Sequence, residues 1–282
     1  MSPPRIDTVP FEVQPDVVLL MVALGAGYLW ALRSLGPRVA PDEVTQRRRP
    51  VLFFTGLLVL TVAASWPIDT IGDGYLFSVH MGQYLLMTLV AAPLLLAGVP
   101  GWLLRELTVP IRPAVAWLAR PLVALLILNT ILVVSHWPVL IEIYVTNDVV
   151  HFTMHVLWVG SGLLFWMPIL SPIPEYPRLS EPLQMGYLFL SSVIPTFPAS
   201  FLTWADGPFY DVYAEAPRLW GISAITDTQA AGLVMKLGGG ILLWSVITVI
   251  FFRWVATQTD PSADSNPPSR IRPNNGAPLQ HR

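Results

Sequence analysis

The sequence predicts an all-α polytopic membrane protein with seven transmembrane helices. Of its 282 residues, 54% are hydrophobic and only 12% are charged, whereas soluble domains carry about 25% charged residues. Seven apolar stretches reach or approach the roughly 20 residues that a helix needs to cross the hydrocarbon core. The chain has no cysteine, which excludes disulfides, thiolate metal sites and thiol nucleophiles.

The predicted spans are separated by polar loops and punctuated by proline. Because proline suits the first turn of a helix or the chain just past its end, Pro15, Pro50, Pro121 and Pro182 mark helix boundaries. The second and fourth stretches are shorter than the others. We predict spans at approximately 16–35, 51–67, 75–99, 121–137, 150–170, 183–203 and 227–255.

Two terminal segments flank the predicted membrane domain of residues 15–256. Residues 1–14 mix basic and acidic side chains, and no small-residue cleavage site follows the first apolar run, so we expect a retained span instead of a signal peptide. Residues 257–282 are rich in Pro, Ser, Asn and Arg, a composition that predicts a disordered tail. His281 lies in this tail, and we expect no functional role for it.

Loop charges predict the orientation. Arginine concentrates in alternate loops, and an excess of Arg and Lys marks the cytoplasmic side of a membrane protein. The intervening loops are acidic. This pattern places the N-terminus outside and the C-terminal tail in the cytoplasm. The basic set is Arg38, Arg47, Arg48, Arg49, Arg105, Arg112, Arg120 and Arg178, and the acidic set includes Asp69, Asp73, Glu142, Asp148, Asp206 and Asp211.

Four histidines fall at the predicted outer ends of three spans. His80 lies near the start of the third span, His136 ends the fourth, and His151 and His155 occupy the first turns of the fifth. The last two are spaced i, i+4, so they share one helix face. A single histidine at a span end can simply snorkel or cap. Four at one level predict a metal site, because imidazole is the commonest metal ligand in proteins.

Further residues are candidates for additional ligands or for supporting roles. Thioethers favour Cu(I), so methionines near the histidines are possible ligands, although packing is the alternative. An aspartate at the start of the last span is either an N-cap or a carboxylate that orients a ligating histidine. A lysine near the middle of that span needs a partner, a watery cavity or a snorkelling path. These residues are Met81, Tyr84, Met154, Asp227, Met235 and Lys236.

At these positions the chain resembles the CtaG-type cytochrome c oxidase assembly factors, seven-span proteins of bacterial plasma membranes. The matching stretches are FSVHMGQYLLMTLVAAPLLLAGVP from Phe77, SHWP from Ser135, HFTMHVLWVGSGLLFWMPIL from His151 and DTQAAGLVMKLGGG from Asp227. The resemblance implies copper delivery to cytochrome c oxidase in the respiratory chain. It also implies oxidase subunits and other outer-side copper carriers as partners, and no nucleic acid.

Carried over by position, the family's histidines match His80, His136, His151 and His155, and its aspartate matches Asp227. Two positions depart from the family pattern. Where the family usually has a second histidine one turn after the first, this chain has Tyr84. Where a tryptophan commonly follows the methionine of the last span, it has Lys236.

Three functions remain open from the sequence. The leading hypothesis is a non-enzymatic assembly factor that holds or passes copper at the outer membrane face. The second is an intramembrane zinc hydrolase, in which Asp227, Asp148 or Ser135 serves proton transfer. The third is a b-type haem protein with two axial histidines on facing helices.

Overall fold

The computed structural model describes residues 6, 9–41 and 46–258, and every regular element within these ranges is helical. Nearly all of the predicted C-terminal tail, with His281, lies outside the described residues. The longer helices are α1 (Pro15–Val39), α2 (Arg48–Ala63), α3 (Ile68–Gly74), α4 (Phe77–Gly98), α5 (Gly101–Leu118), α6 (Pro121–Ser135), α7 (Pro138–Thr146), α8 (Asp148–Leu170), α9 (Glu181–Val193), α10 (Thr196–Thr203), α11 (Asp211–Glu215) and α12 (Ala224–Gln258).

The described helices confirm an all-α polytopic membrane protein. Six spans are long and apolar enough to cross a bilayer: α1, α2 with α3, α4, α8, α9 with α10, and α12. A seventh is formed if α5 and α6 count as one broken span, because these helices meet at an angle of 85°. Whether the described helices form six or seven spans therefore depends on the predicted fourth span, whose helix α6 has 15 residues.

Four segments between the predicted spans are helical instead of extended loops: α3, α5, α7 and α11. Helix α5 buries Trp102, Leu103 and Leu104 and carries charged residues on its other faces. Helix α7 buries Ile141 and Tyr144. Helices α5 and α7 are too short or too charged to read as spans, but each buries one apolar face against the bundle.

Helix α4 is the most buried span and forms the centre of the bundle. It packs closely on α2 because glycines face backbone at both contacts. A Cβ at Gly56 would lie 2.8 Å from the Leu95 nitrogen, and a Cβ at Gly98 would lie 2.4 Å from the Phe53 nitrogen. Small residues at helix contacts are typical of membrane bundles, where close backbone approach drives association.

The two ends of the bundle differ in chemistry. The histidine end contains His80, His136, His151 and His155, at the start of α4, just after α6 and in the first turns of α8. The arginine end contains Arg49, Arg105 and Arg178, which contact the opposite ends of the same helices or the loops beyond them. All four histidines therefore lie at one level.

Candidate metal centre

Two of the predicted histidines sit one turn apart on α8. Asn147 caps this helix, and its side-chain oxygen accepts hydrogen bonds from Val149 and Val150 nitrogens, at 3.1 Å each. The cap fixes the first turn, where His151 and His155 follow with ring centroids 4.3 Å apart. Their i, i+4 spacing therefore yields the shared face that the sequence predicts.

A buried carboxylate completes a three-residue group with these histidines. Asp69 lies on α3 and is only 4% exposed. Its Oδ1 is 3.4 Å from His151 Nε2 and 3.8 Å from His155 Nε2. One ligand atom from each of the three residues lies within 4.8 Å of the other two, which is close enough for one metal ion. We refer to Asp69, His151 and His155 as the carboxylate–imidazole group.

A second carboxylate links this group to His80. Asp73 follows Asp69 by one turn of α3, and its Oδ2 lies 3.2 Å from His151 Nε2. Its Oδ1 lies 3.9 Å from His80 Nδ1 on α4. Two acidic and three imidazole side chains therefore converge from α3, α4 and α8.

Four polar atoms at this convergence lack a hydrogen-bond partner among the described residues. They are Asp73 Oδ1, His80 Nδ1, His151 Nε2 and Gln83 Oε1, and all four are buried. An unsatisfied buried polar group costs about 1–3 kcal/mol, and native structures contain few of them. A cation held by nitrogen and oxygen ligands would satisfy such atoms, so the donor set fits a metal ion.

Neighbouring side chains hold the group in place. The Gln83 Nε2 donates to Asp69 Oδ1 at 2.7 Å and to the Ala63 carbonyl at 2.9 Å. Gln14 Nε2 donates to the other Asp69 oxygen at 3.2 Å. The Tyr144 hydroxyl lies 3.2 Å from His155 Nε2. Burial raises the pKa of this hydroxyl well above its ordinary value, so Tyr144 remains a neutral hydrogen-bond donor.

The fourth predicted histidine, His136, contacts a thioether. Its Nε2 lies 3.1 Å from Met81 Sδ, and its Nδ1 lies 2.5 Å from the Leu132 carbonyl oxygen. His136 and Met81 are both buried. We refer to them as the thioether–imidazole pair.

The remaining sequence candidates lie apart from these contacts. The ring of Tyr84 packs edge-on against Trp158 and lines a small cavity together with Met235 and Lys236. Met154 packs in the apolar core. The exposed Lys236 reaches the outside of the bundle, in a π-helical segment of α12.

Asp227 acts on backbone and not on an imidazole in this structure. Its two carboxylate oxygens accept hydrogen bonds from the Phe77 and Ser78 nitrogens, at 2.7 and 3.0 Å. These nitrogens belong to the first turn of α4, whose free N–H groups favour a negative charge. Asp227 therefore caps the neighbouring helix that carries His80, while Ser223 caps its own helix.

Sequence reasoning missed Asp69, Asp73, Gln83 and Tyr144 as members of the site. The two aspartates share the i, i+4 spacing of the histidine pair, which is a usable signal. From the sequence, both aspartates were assigned to the acidic loops of one membrane side, and no contact with the histidines was predicted. Gln83 lies one turn after His80 on α4, but its contact with Asp69 requires the tertiary structure.

A cavity of about 430 Å³ opens beside the carboxylate–imidazole group. Two further carboxylates contribute to its wall, so it has the charge to concentrate cations next to the buried ligands. Its polar lining consists of Gln14, Asp16, Asp69, Asp148, His151 and His155.

The chain matches the model of one protein family over most of its length. The family model for the cytochrome c oxidase caa3 assembly factor matches residues 26–257. The chain belongs to this family. The match confirms the resemblance found in the sequence, and it spans α2 to α11 together with most of α1 and α12. Among curated proteins and solved structures, none matches the chain significantly.

Membership of the caa3 assembly factor family gives the coarse function, which is assembly of cytochrome c oxidase. The family match includes every member of the carboxylate–imidazole group and the thioether–imidazole pair. It begins after Gln14 and Asp16, which form one wall of the cavity.

Proposed function

We propose that this chain binds copper during assembly of cytochrome c oxidase, and holds or passes the ion at the outer membrane face. The observation that carries the proposal is the carboxylate–imidazole group, whose three ligand atoms lie within 4.8 Å of one another. Beside or within it, Asp73 Oδ1, His80 Nδ1 and His151 Nε2 are buried without a hydrogen bond among the described residues. Family membership supplies the oxidase context. For a given site of this kind, the affinity of divalent first-row metals peaks at copper.

The residues around the carboxylate–imidazole group suit a site that binds an ion and later releases it to a partner. Asp69 and Asp73 supply two negative charges that balance a divalent ion in a buried setting. Gln83 and Gln14 hold Asp69 from two sides, so the ligands are positioned before the ion arrives. The adjoining cavity leaves one side of the group accessible, which a donor or recipient needs in order to exchange the ion.

We also propose the orientation and the partners. The arginine end faces the cytoplasm by the positive-inside rule, so the histidine end faces outward, with the N-terminus outside. Copper then meets the protein on the outer side of the bacterial plasma membrane. The partners are oxidase subunits and other copper carriers on that side, and the role is non-catalytic.

Replacement of both histidines of the group tests the proposal. In His151→Ala/His155→Ala, copper bound per purified protein and oxidase activity in membranes should both fall. Thr153→Ala is the matched control, because this exposed residue lies on the same turns of α8 and its hydroxyl donates to the Val149 carbonyl of that helix. Copper stoichiometry that is unchanged in the double variant would overturn the proposal.

One observation favours an intramembrane zinc hydrolase as a second candidate. Three protein ligands with one open side resemble a catalytic zinc site, in which the open position carries water. Elemental analysis of the purified protein, with lipid amidase and esterase assays, separates the two. Zinc together with hydrolysis that is lost in Asp69→Asn would replace the copper proposal.

The haem hypothesis gains no such support from the group. Two axial histidines bind from opposite faces of a porphyrin, whereas His151 and His155 lie on one helix with their rings 4.3 Å apart. The absorption spectrum of the same sample tests this hypothesis, because a Soret band would establish haem.

A further inference from the structure

The thioether–imidazole pair joins two helices at the histidine end. Met81 lies on α4, and His136 follows the last residue of α6. The Met81 Sδ and His136 Nε2 are 3.1 Å apart, in a setting where the two residues are only 1% and 8% exposed. The contact therefore brings two potential metal ligands together within the protein.

The hydrogen bonds of His136 determine which ring nitrogen faces the sulfur as a ligand. Its Nδ1 lies 2.5 Å from the Leu132 carbonyl oxygen, which can only accept, so Nδ1 carries the proton. In the neutral ring this leaves a lone pair on Nε2, directed at the thioether. A thioether has no proton to donate. Two electron-pair donors therefore face each other without a hydrogen between them.

Charge distinguishes this pair from the neighbouring group. His80, His151 and His155 each lie within 4 Å of a carboxylate oxygen. Among the residues that the structure describes, no carboxylate lies within that distance of His136. The pair offers one sulfur and one nitrogen, and it lacks the negative charge that would balance a divalent ion.

We propose that Met81 and His136 form a second metal site, which takes Cu(I) and is separate from the carboxylate–imidazole group. A thioether ligand favours the soft monovalent ion and imidazole also binds copper, whereas carboxylates suit harder divalent ions. The choice of copper as the cargo rests on the proposed function.

The surroundings hold the His136 side chain in position. The Tyr210 hydroxyl donates to the His136 carbonyl at 2.9 Å. The ring of Phe77 packs edge-on against both His136 and Tyr210, with centroid distances of 6.0 and 4.8 Å. These aromatic rings form apolar walls beside the imidazole. Asp73 links the carboxylate–imidazole group to His80, and His80 precedes Met81 on α4, so the two sites are neighbours.

Two metal probes can test the sites separately in the full-length protein. Cu(I) is added under anaerobic reducing conditions in competition with bathocuproine disulfonate, and Co(II) reports on the carboxylate–imidazole group. In Met81→Leu the Cu(I) affinity should fall by about 10-fold or more, because one ligand is lost. The sulfur signal in the copper X-ray absorption spectrum should disappear, and Co(II) binding should persist.

Met154→Leu is the matched control, because Met154 is a buried methionine of the same bundle that packs in the apolar core. It should keep both the Cu(I) affinity and the sulfur signal. His136→Gln provides a second variant if Met81→Leu fails to fold, as judged by Co(II) binding. Sulfur coordination that survives in Met81→Leu, or Cu(I) affinity that survives in His136→Gln, would overturn the second site.

The outcome separates this inference from the proposed function. If His151→Ala/His155→Ala loses copper and oxidase activity while Met81→Leu matches the wild type, only the second site is refuted. If the double variant keeps oxidase activity while the wild type shows Met81-dependent sulfur coordination of Cu(I), the proposed function fails and the second site stands.

Discussion

The polar side chains at the two ends of the bundle differ in how completely they are hydrogen-bonded. At the arginine end, Arg49 donates to the Val99 carbonyl at 2.7 Å, and Arg178 donates to the Ser171 carbonyl at 2.7 Å. At the histidine end, Asp73 and His151 approach to 3.2 Å, yet Asp73 Oδ1 and His151 Nε2 are both buried without a hydrogen bond among the described residues.

This difference separates side chains that stabilise the fold from side chains that are available to a ligand. Arginine bonded to the free carbonyls of helix ends satisfies groups that would otherwise be costly in a membrane. Buried carboxylates and imidazoles without complete hydrogen bonding lower stability unless a further partner arrives. Substitutions at the histidine end should therefore alter metal binding, and those at the arginine end should alter stability.

The largest expected effect comes from Asp69→Asn. The substitution removes one ligand and one negative charge while it keeps the shape of the side chain. We expect Co(II) and Cu(II) affinity to fall by about 100-fold or more, at or beyond the upper end of outer-shell effects. The thermal unfolding midpoint without metal should fall slightly, because the amide keeps only one of the two acceptor oxygens to which Gln83 and Gln14 donate. Unchanged metal affinity would show that the carboxylate–imidazole group is not the site.

Two glutamines with similar hydrogen bonds to backbone provide a second test of the difference between metal binding and stability. Gln83 and Gln184 each donate a side-chain hydrogen bond to a backbone carbonyl, at 2.9 and 2.7 Å. Only Gln83 also donates to Asp69. Each Gln→Met substitution should lower the free energy of unfolding by about 1–3 kcal/mol, since a carbonyl loses its partner. Only Gln83→Met should lower metal affinity, by about 10-fold.

Metal titrations and denaturation of the same two glutamine variants provide the measurement. Equal loss of metal affinity in both variants would mean that the effect arises from general loosening of the bundle. Such a result would remove Gln83 from the support of Asp69.

The sequence predicted the parts of the site that depend on local spacing and on topology. The i, i+4 spacing of His151 and His155 gave their shared face, and the order of apolar spans placed His80 and His136 at the same level. It did not predict that Asp69 joins the pair, because contacts between α3 and α8 depend on packing. The same applies to Met81 and His136, which are distant in sequence and meet only in the folded bundle.

The fold was similarly predictable for those spans whose apolar stretch is long enough to identify a membrane helix. The spans that became α4 and α8 are long and uninterrupted, so length alone identified them. Helices α3, α5, α7 and α11 were missed, because a short apolar face resembles a loop when its burial partner is unknown. The capping role of Asp227 on α4 also depends on a neighbouring helix.

Arg49→Gln tests the arginine end. This side chain donates to the carbonyl of Val99 at 2.7 Å, where α4 ends and the chain turns toward α5. Its loss should lower the free energy of unfolding by about 1–3 kcal/mol, because a partly buried carbonyl loses a charged donor. Chemical denaturation in detergent measures this effect. Co(II) and Cu(I) affinity should equal those of the wild type, and a loss of either would contradict the separation between the two ends.

The smallest effect is expected at the partly exposed ion pair of Arg105 and Glu175, whose Nε and Oε1 lie 2.7 Å apart. The hydrogen bond from Arg105 holds the pKa of the Glu175 carboxyl below its ordinary value. The pair therefore stabilises the folded state above the ordinary glutamate pKa, and this contribution is lost as pH falls through the lowered value. Glu175→Gln should lower the unfolding midpoint slightly near neutral pH, and the difference from wild type should vanish in acid. A difference that grows in acid would contradict this assignment, whereas metal binding should be the same in both proteins at every pH.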